Sequence, residues 1–164
     1  MKYLLLILFI NFSIQANWPG PYNRKIEKEI KRCFNDANII YEPIIHDVAH
    51  SRPGPGLKIY SLLNDESLLG YLVLTSAKGR YDYFDYCVIY KPDIEILKIA
   101  ILIYRSDHGY EISNKSWLKQ FYGSSGCSLE YGKDIDAISG ATLSASSLTK
   151  DLEFLCDLMK SLTD

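Results

Sequence analysis

Apolar residues recur at helical spacing near the two ends of the chain and alternate in short runs between them. Ile26, Ile30, Cys33, Phe34 and Ala37 mark one side of a segment whose other side holds Lys25, Glu27, Lys28, Lys31 and Arg32. This predicts an amphipathic helix from about Arg24 to Ala37, with Asn23 as its cap. At the far end Leu148, Leu152, Leu155, Cys156 and Met159 form the stripe of a helix over about Ala145 to Leu162, with Ser144, Ser146 and Ser147 as candidate N-caps. Between the helices, Leu57–Leu63, Leu68–Thr75, Asp82–Tyr90 and Ile94–Tyr104 read as strands. The connections Asn64-Asp65-Glu66, Ala77–Arg80 and Lys91-Pro92-Asp93 are too short for parallel crossovers, so the strands form an antiparallel meander. Leu97, Ile99, Ile101 and Ile103 fall on one face of the last strand, and Tyr83, Tyr86 and Tyr90 read as sheet surface. Ile39–Ile45 is extended, with Pro43 marking an edge strand. Trp117–Gly123 is a short helical turn that buries Trp117, Leu118 and Phe121. The class expected is α+β: a twisted antiparallel sheet with an N-terminal helix, a short middle helix and a C-terminal helix packed on it.

Length and charge narrow the picture. A chain of 164 residues, 48% hydrophobic and 23% charged, suits one globular domain. The net charge of −2 gives no electrostatic case for a nucleic-acid partner. Thirteen tyrosines supply amphipathic aromatic surface, useful around a flat cofactor and equally useful in a sheet.

Residues 1–16 read as a secretory signal peptide: Lys2, an apolar core from Leu4 to Ile10, then Ile14-Gln15-Ala16 with a small residue last. Asn11 and Ser13 break the apolar run well short of the ~20 residues a spanning helix needs. No Cys stands at position 17, so a lipid anchor is not evident. Cleavage after Ala16 would remove Lys2 and take the charge from −2 to −3.

Several chemistries find no motif. The four cysteines, Cys33, Cys87, Cys127 and Cys156, allow three disulfide connectivities that sequence does not rank. Cys33 and Cys156 fall on apolar helix faces, where a thiol behaves as a small hydrophobe. There is no Cys-x-x-Cys pair and no close Cys/His cluster for zinc. His46, Asp47 and His50 precede Arg52-Pro-Gly-Pro-Gly56 and read as a polar loop beside a rigid turn. Gly126 to Gly132-Lys133 has the wrong spacing for a phosphate loop, and Asp134 stands where Ser or Thr belongs. No Gly-x-Ser-x-Gly elbow supports a serine hydrolase.

One short stretch does carry chemistry: Asp136-Ala-Ile-Ser-Gly-Ala-Thr-Leu-Ser144. It is small, polar and glycine-containing, and it leads into the last helix, whose N-terminus offers free N–H groups and positive potential to a phosphate. Asp136, Ser139, Gly140, Ala141 and Thr142 resemble the attachment motif of the FMN-binding domain family. That family includes the periplasmic flavoprotein subunits of sodium-pumping NADH:quinone reductase and of Rnf-type electron-transport complexes. The resemblance implies a single FMN-binding domain over residues 17–164, with FMN joined through its phosphate to Thr142 by a flavin transferase. It implies Asp136, Ser139, Gly140, Ala141 and Ser144 as the surrounding site. It also places a glycine-containing loop near the flavin ring, here Asp107-His108-Gly109-Tyr110-Glu111, where the respiratory subunits have a Glu-Thr-Pro-Gly type sequence. Trp117-Leu-Lys-Gln-Phe-Tyr-Gly123 resembles the family's Trp-Leu-x-Gln-Phe-x-Gly segment. His108, Gly109, Tyr110 and Trp117 are therefore the candidate ring contacts, with no metal site and no catalytic residue expected. The resemblance runs from about Gly70 to Leu155 and implies an exported electron carrier, periplasmic or facing the outer side of the cytoplasmic membrane, with a membrane-bound or exported redox partner. The alternatives on the same residues are noncovalent FMN binding, a cofactor-free interaction module and a small flavin reductase.

The leader gives the first prediction. The mature protein should begin at Asn17, and intact-mass measurement on protein from its native compartment checks it; retention of residues 1–16 would point to an anchor.

Overall fold

The computed structural model describes residues 22–35, 38–48, 56–65 and 67–163. In chain order these form α1 (Asn23–Phe34), β1 (Ile40–Val48), β2 (Leu57–Asn64), β3 (Ser67–Lys78), β4 (Tyr83–Tyr90) and β5 (Ile96–Tyr104). A 3-10 turn (Tyr110–Ser113), α2 (Lys115–Leu118), a second 3-10 turn (Lys119–Phe121) and α3 (Thr142–Thr163) follow. The five strands make one antiparallel sheet in sequence order. The fold is α+β, as the hydrophobic pattern predicts. The leader, His50 and the Arg52–Pro55 corner lie outside the described residues, whereas His46 and Asp47 belong to β1 rather than to a loop.

Each face of the sheet has its own core. On one face Ile59, Val73, Tyr86 and Val88 pack with Leu148, Leu152, Leu155 and Met159 of α3 and with Trp117 and Phe121. On the other, Leu62, Leu72, Leu74, Cys87 and Ile89 pack with Ile26 and Ile30 of α1. Burying both faces explains why β3 and β4 are apolar almost without interruption. It also corrects the tyrosines: Tyr86 and Tyr90 are fully buried rather than surface residues. The Tyr86 hydroxyl meets its polar need by donating to Asp151 Oδ2 at 2.5 Å.

Two irregularities shape β5. Its register against β4 slips between Asp85 and Tyr86 and again between Ile89 and Tyr90. An extra residue reverses the in–out alternation. Ile99 and Ile101 therefore join the α3 core, while Leu97 and Ile103 pack on the α1 side, and the single apolar face expected for these four is split.

The helix ends also differ from the sequence reading. α1 stops at Phe34 because Asn35 turns left-handed, with φ 48°, and returns its N–H to the Lys31 carbonyl. Asn23 lies inside the first turn; Tyr22 holds the cap position and makes no capping bond. Its hydroxyl donates instead to the fully buried Asp85, which also takes Arg105 Nη1 at 3.0 Å. Burial and the neighbouring Asp85 carboxylate push the Tyr22 phenol up to about 12, which keeps it protonated as a donor. α3 begins at Thr142, three residues before the expected Ala145, so Ser144, Ser146 and Ser147 are helical residues rather than caps.

Cys156 is not a lone hydrophobe. It bonds to Cys127, with Cα atoms 5.2 Å apart, and so ties the loop before the motif to the middle of α3. Cys33 and Cys87 are free, and burial pushes their thiols up to about 11 and about 12, which leaves little thiolate for reaction. Closing a loop with a separation of 29 residues predicts about 3–4 kcal/mol of stabilisation from the disulfide. Non-reducing peptide mapping should join the Cys127 and Cys156 peptides, and denaturant unfolding with and without reductant should show the difference. A loss below about 1 kcal/mol would mean that the reduced chain keeps this geometry unaided.

Candidate functional site

Three segments meet beside the N-terminus of α3: the turn after β3, the loop after β5, and the Asp136–Ala141 segment. Arg80, His108, Gly109, Gly140, Ala141, Thr142, Leu143 and Ser144 line one pocket there, of about 270 Å³. The structure therefore brings together six of the residues singled out from sequence and adds Arg80 and Leu143.

The motif is a turn followed by a helix start. The Ala141 N–H donates to the Ile138 carbonyl at 3.3 Å, closing a β-turn whose third residue, Gly140, has φ 84°. That conformation favours glycine. The turn is crowded as well, since a Cβ on Gly140 would stand 2.9 Å from Glu111 Oε1. Ala141 is 2% exposed and packs in the α3 core, so its small side chain answers to packing rather than to access. Its carbonyl accepts the Ala145 N–H at 2.8 Å and opens the helix. Ser139 and Thr142 on either side are exposed. Thr142 is thus the first helical residue, on a helix end where the first N–H groups have no intrahelical partner.

Asp136 and Trp117 act behind the pocket, not in it. Gln120 Oε1 accepts the Asp136 N–H at 2.9 Å, and Trp117 Nε1 donates to the Asp136 carbonyl at 2.8 Å. Trp117 is 6% exposed and stands edge-on to Phe121 at 5.3 Å. It is a clamp on the motif backbone and does not line the pocket. Tyr110 does not line it either; it is 63% exposed, with its ring edge-on to Tyr104 at 6.0 Å.

Ser144 is 1% exposed and serves a latch. Tyr104 donates its hydroxyl to the His108 carbonyl at 2.8 Å and also lies 2.8 Å from Ser144 Oγ. A phenol has one hydrogen, so Ser144 donates in the second bond. Gly109, with φ 93°, crosses so close to this hydroxyl that any Cβ would collide with it. The latch fixes the His108–Gly109 backbone against the first turn of α3.

Arg80 brings positive charge to the same place. Its guanidinium lies 5.1 Å from the centroid of Tyr81, and among the described residues it has no acidic partner. Arg80 and Tyr104 escaped the sequence reading because one sits in a hairpin turn and the other ends a strand. Neither carries a local signal, and only the folded sheet brings Arg80 to the pocket with Thr142 and Tyr104 to Ser144.

The donor set suits a phosphoryl group. A cation, unpaired helix N–H groups and small residues that admit close approach surround an exposed hydroxyl. The Glu111 carboxylate beside Gly140 works against a second negative charge, so a singly charged diester fits better than a dianionic monoester. An FMN phosphate esterified to Thr142 would be held by the α3 N-terminus and Arg80.

No protein-family model matches the sequence, and no curated protein matches it. Among solved structures the chain is similar to the crystal structure of Shewanella oneidensis NqrC, with a TM-score of 0.50 and 18% identity over 74% of this chain and 69% of that one. The likeness establishes a shared fold.

The latch generates a prediction. Tyr104→Phe leaves the His108 carbonyl and Ser144 Oγ without their partner, at an expected cost of about 1–2 kcal/mol. Amide exchange at His108 and Gly109 should accelerate while β4 stays protected. Unchanged exchange there would mean that the loop is held by other contacts.

Proposed function

We propose that the protein is an exported electron-carrying flavoprotein of the FMN-binding domain family, with FMN joined to Thr142 through a phosphoester. The observation that carries this reading is the position of Thr142: the last residue of Ser139-Gly140-Ala141-Thr142, exposed, first in α3, and in a pocket shared with Arg80. The fold shared with NqrC supports it from outside the chain, since the family that the motif resembles counts flavoprotein subunits of sodium-pumping NADH:quinone reductase among its members.

Attachment would be the work of a flavin transferase acting on FAD. The Thr142 Oγ–phosphorus bond forms, the P–O–P bond of FAD breaks, AMP leaves, and the hydroxyl proton passes to a base on the transferase. When bound, the flavin supplies reversible electron storage; the protein contributes position and electrostatics. The α3 N-terminus and Arg80 stabilise the diester, and the His108–Gly109 backbone forms the facing wall. At about 270 Å³ the pocket falls below the range that usually encloses a whole small-molecule ligand, so it suits the phosphate end and leaves the ring open to a partner. The redox partner on this reading is membrane-bound or exported, and the signal peptide delivers the chain to the outer side of the cytoplasmic membrane.

Co-expression with a flavin transferase, FAD and magnesium should add one FMN unit, which peptide mass mapping should place on Thr142. Thr142→Ala should abolish the adduct and change stability by no more than ~0.5 kcal/mol, because the side chain is exposed. An adduct that persists in Thr142→Ala sinks the site. No adduct on the wild-type chain, with a transferase active on another target, favours the noncovalent or cofactor-free module instead.

A further inference from the structure

The two sides of the sheet carry opposite charge. α1 holds five basic and two acidic residues, a net +3 over 12 positions. Residues 106–164, which build the α3 side, hold nine acidic and five basic residues, a net −4. Arg24, Lys25, Lys28, Lys31 and Arg32 are all exposed, and four of them, with Glu27 and Asn35, line an open groove along the outside of the helix. The acids near them do little to cancel this. Glu29 is 6% exposed and divides its charge between Arg32 of this cluster and Lys98, at 3.5 Å, outside it. Asp85 beneath the helix is neutralised by Arg105. Glu27 is the exposed acid of α1.

The apolar stripe of this helix is already used. Ile26 and Ile30 are 0% and 1% exposed against the sheet, so α1 cannot sink an apolar face into lipid as an interfacial helix does. What it presents is charge on flexible stems. Among its exposed residues there is no aromatic anchor of the kind that dominates the buried centre of protein interfaces. That chemistry matches a diffuse layer of phosphate groups, and clusters of four to eight basic residues on a helix are the pattern that contacts anionic lipid.

We propose that the outer face of α1 docks the protein on an anionic bilayer through its headgroup phosphates, with the Thr142 side turned away from the membrane. The acidic α3 side is repelled by the same surface, so charge sets orientation as well as attachment. Helix, sheet and helix layers about 10 Å apart hold α3 roughly 20 Å above α1. The inference stands apart from the flavin and is tested on the chain without cofactor.

Flotation of the full chain with phosphatidylcholine vesicles, alone or with about 30% phosphatidylglycerol, reads the interaction. The expected result is at least about tenfold tighter binding to the anionic vesicles, lost near 0.5 M salt. Residues 1–16 also carry Lys2, so their contribution is separated by the charge reversal on α1, which leaves them unchanged. Lys28→Glu with Lys31→Glu should remove the anionic preference, while Lys133→Glu with Lys160→Glu, on the α3 side, should leave most of it. Equal binding to both vesicles, a charge reversal on α1 without effect, or no binding at all overturns the proposal. No binding would leave an acidic protein as the better occupant of this face.

Discussion

The backbone of Asp136 is held at both of its polar groups, by Gln120 on the N–H and by Trp117 on the carbonyl. Much of the site depends on this clamp. It fixes where the chain leaves the irregular loop, and so where the Ile138–Ala141 turn begins and where α3 starts. Trp117 and Gln120 are themselves placed by burial, since Trp117, Leu118 and Phe121 anchor the middle segment in the α3 core. A hydrogen bond from a buried indole in low dielectric is costly to leave unmade, which gives the clamp its stiffness. Two stretches that look unrelated in the sequence, Trp-Leu-x-Gln-Phe and Asp-x-x-Ser-Gly-Ala-Thr, are thus one device.

That coupling also marks how far the sequence could be read. The strand order, the two long helices and the burial of Leu148, Leu152, Leu155 and Met159 follow from periodicity, because each element declares its buried face locally. The split of Leu97 and Ile103 from Ile99 and Ile101 was not legible, since a bulge depends on the partner strand and leaves no mark on the bulged one. The burial of Tyr86 is hidden for a related reason: a tyrosine can be buried wherever the fold supplies a partner for its hydroxyl, and Asp151 is 65 positions away; Tyr90 is buried with no hydrogen-bond partner among the described residues. At the site, Thr142 and Gly140 were legible from their motif. Arg80 and the Tyr104 latch were not, because their roles exist only once β3 and β5 lie beside α3.

The tether proposed for Thr142 would suit the geometry of this place. The pocket is small and open, and a ligand held there by one cation and a helix end alone would exchange readily. A covalent link makes rebinding intramolecular, at an effective concentration of order mM for a short linker. On the proposed reading the protein would not need to enclose the ring to retain it, and an uncovered ring would be free for electron exchange with a partner. The two glycines serve the same end differently: Gly109 lets backbone pass where a side chain would meet the Tyr104 hydroxyl, and Gly140 takes the left-handed turn conformation, φ 84°, that a side chain would strain.

The sheet separates two kinds of work. Its α3 face carries the pocket, the latch and the clamp; its α1 face carries the buried Tyr22–Asp85–Arg105 network and the basic helix. Arg105 links the two sides. It lies at the end of β5, pairs with Asp85 beneath α1, and also donates to the Tyr83 carbonyl at 2.9 Å, while the next residues run directly into His108 and Gly109. A buried carboxylate that lost this partner would cost several kcal/mol, so the start of the loop is pinned to the α1 side as firmly as its end is latched to α3. A loop held at both ends moves little. If FMN is attached at Thr142 as proposed, a rigid wall beside it would keep its electrostatic surroundings constant and so hold its potential steady.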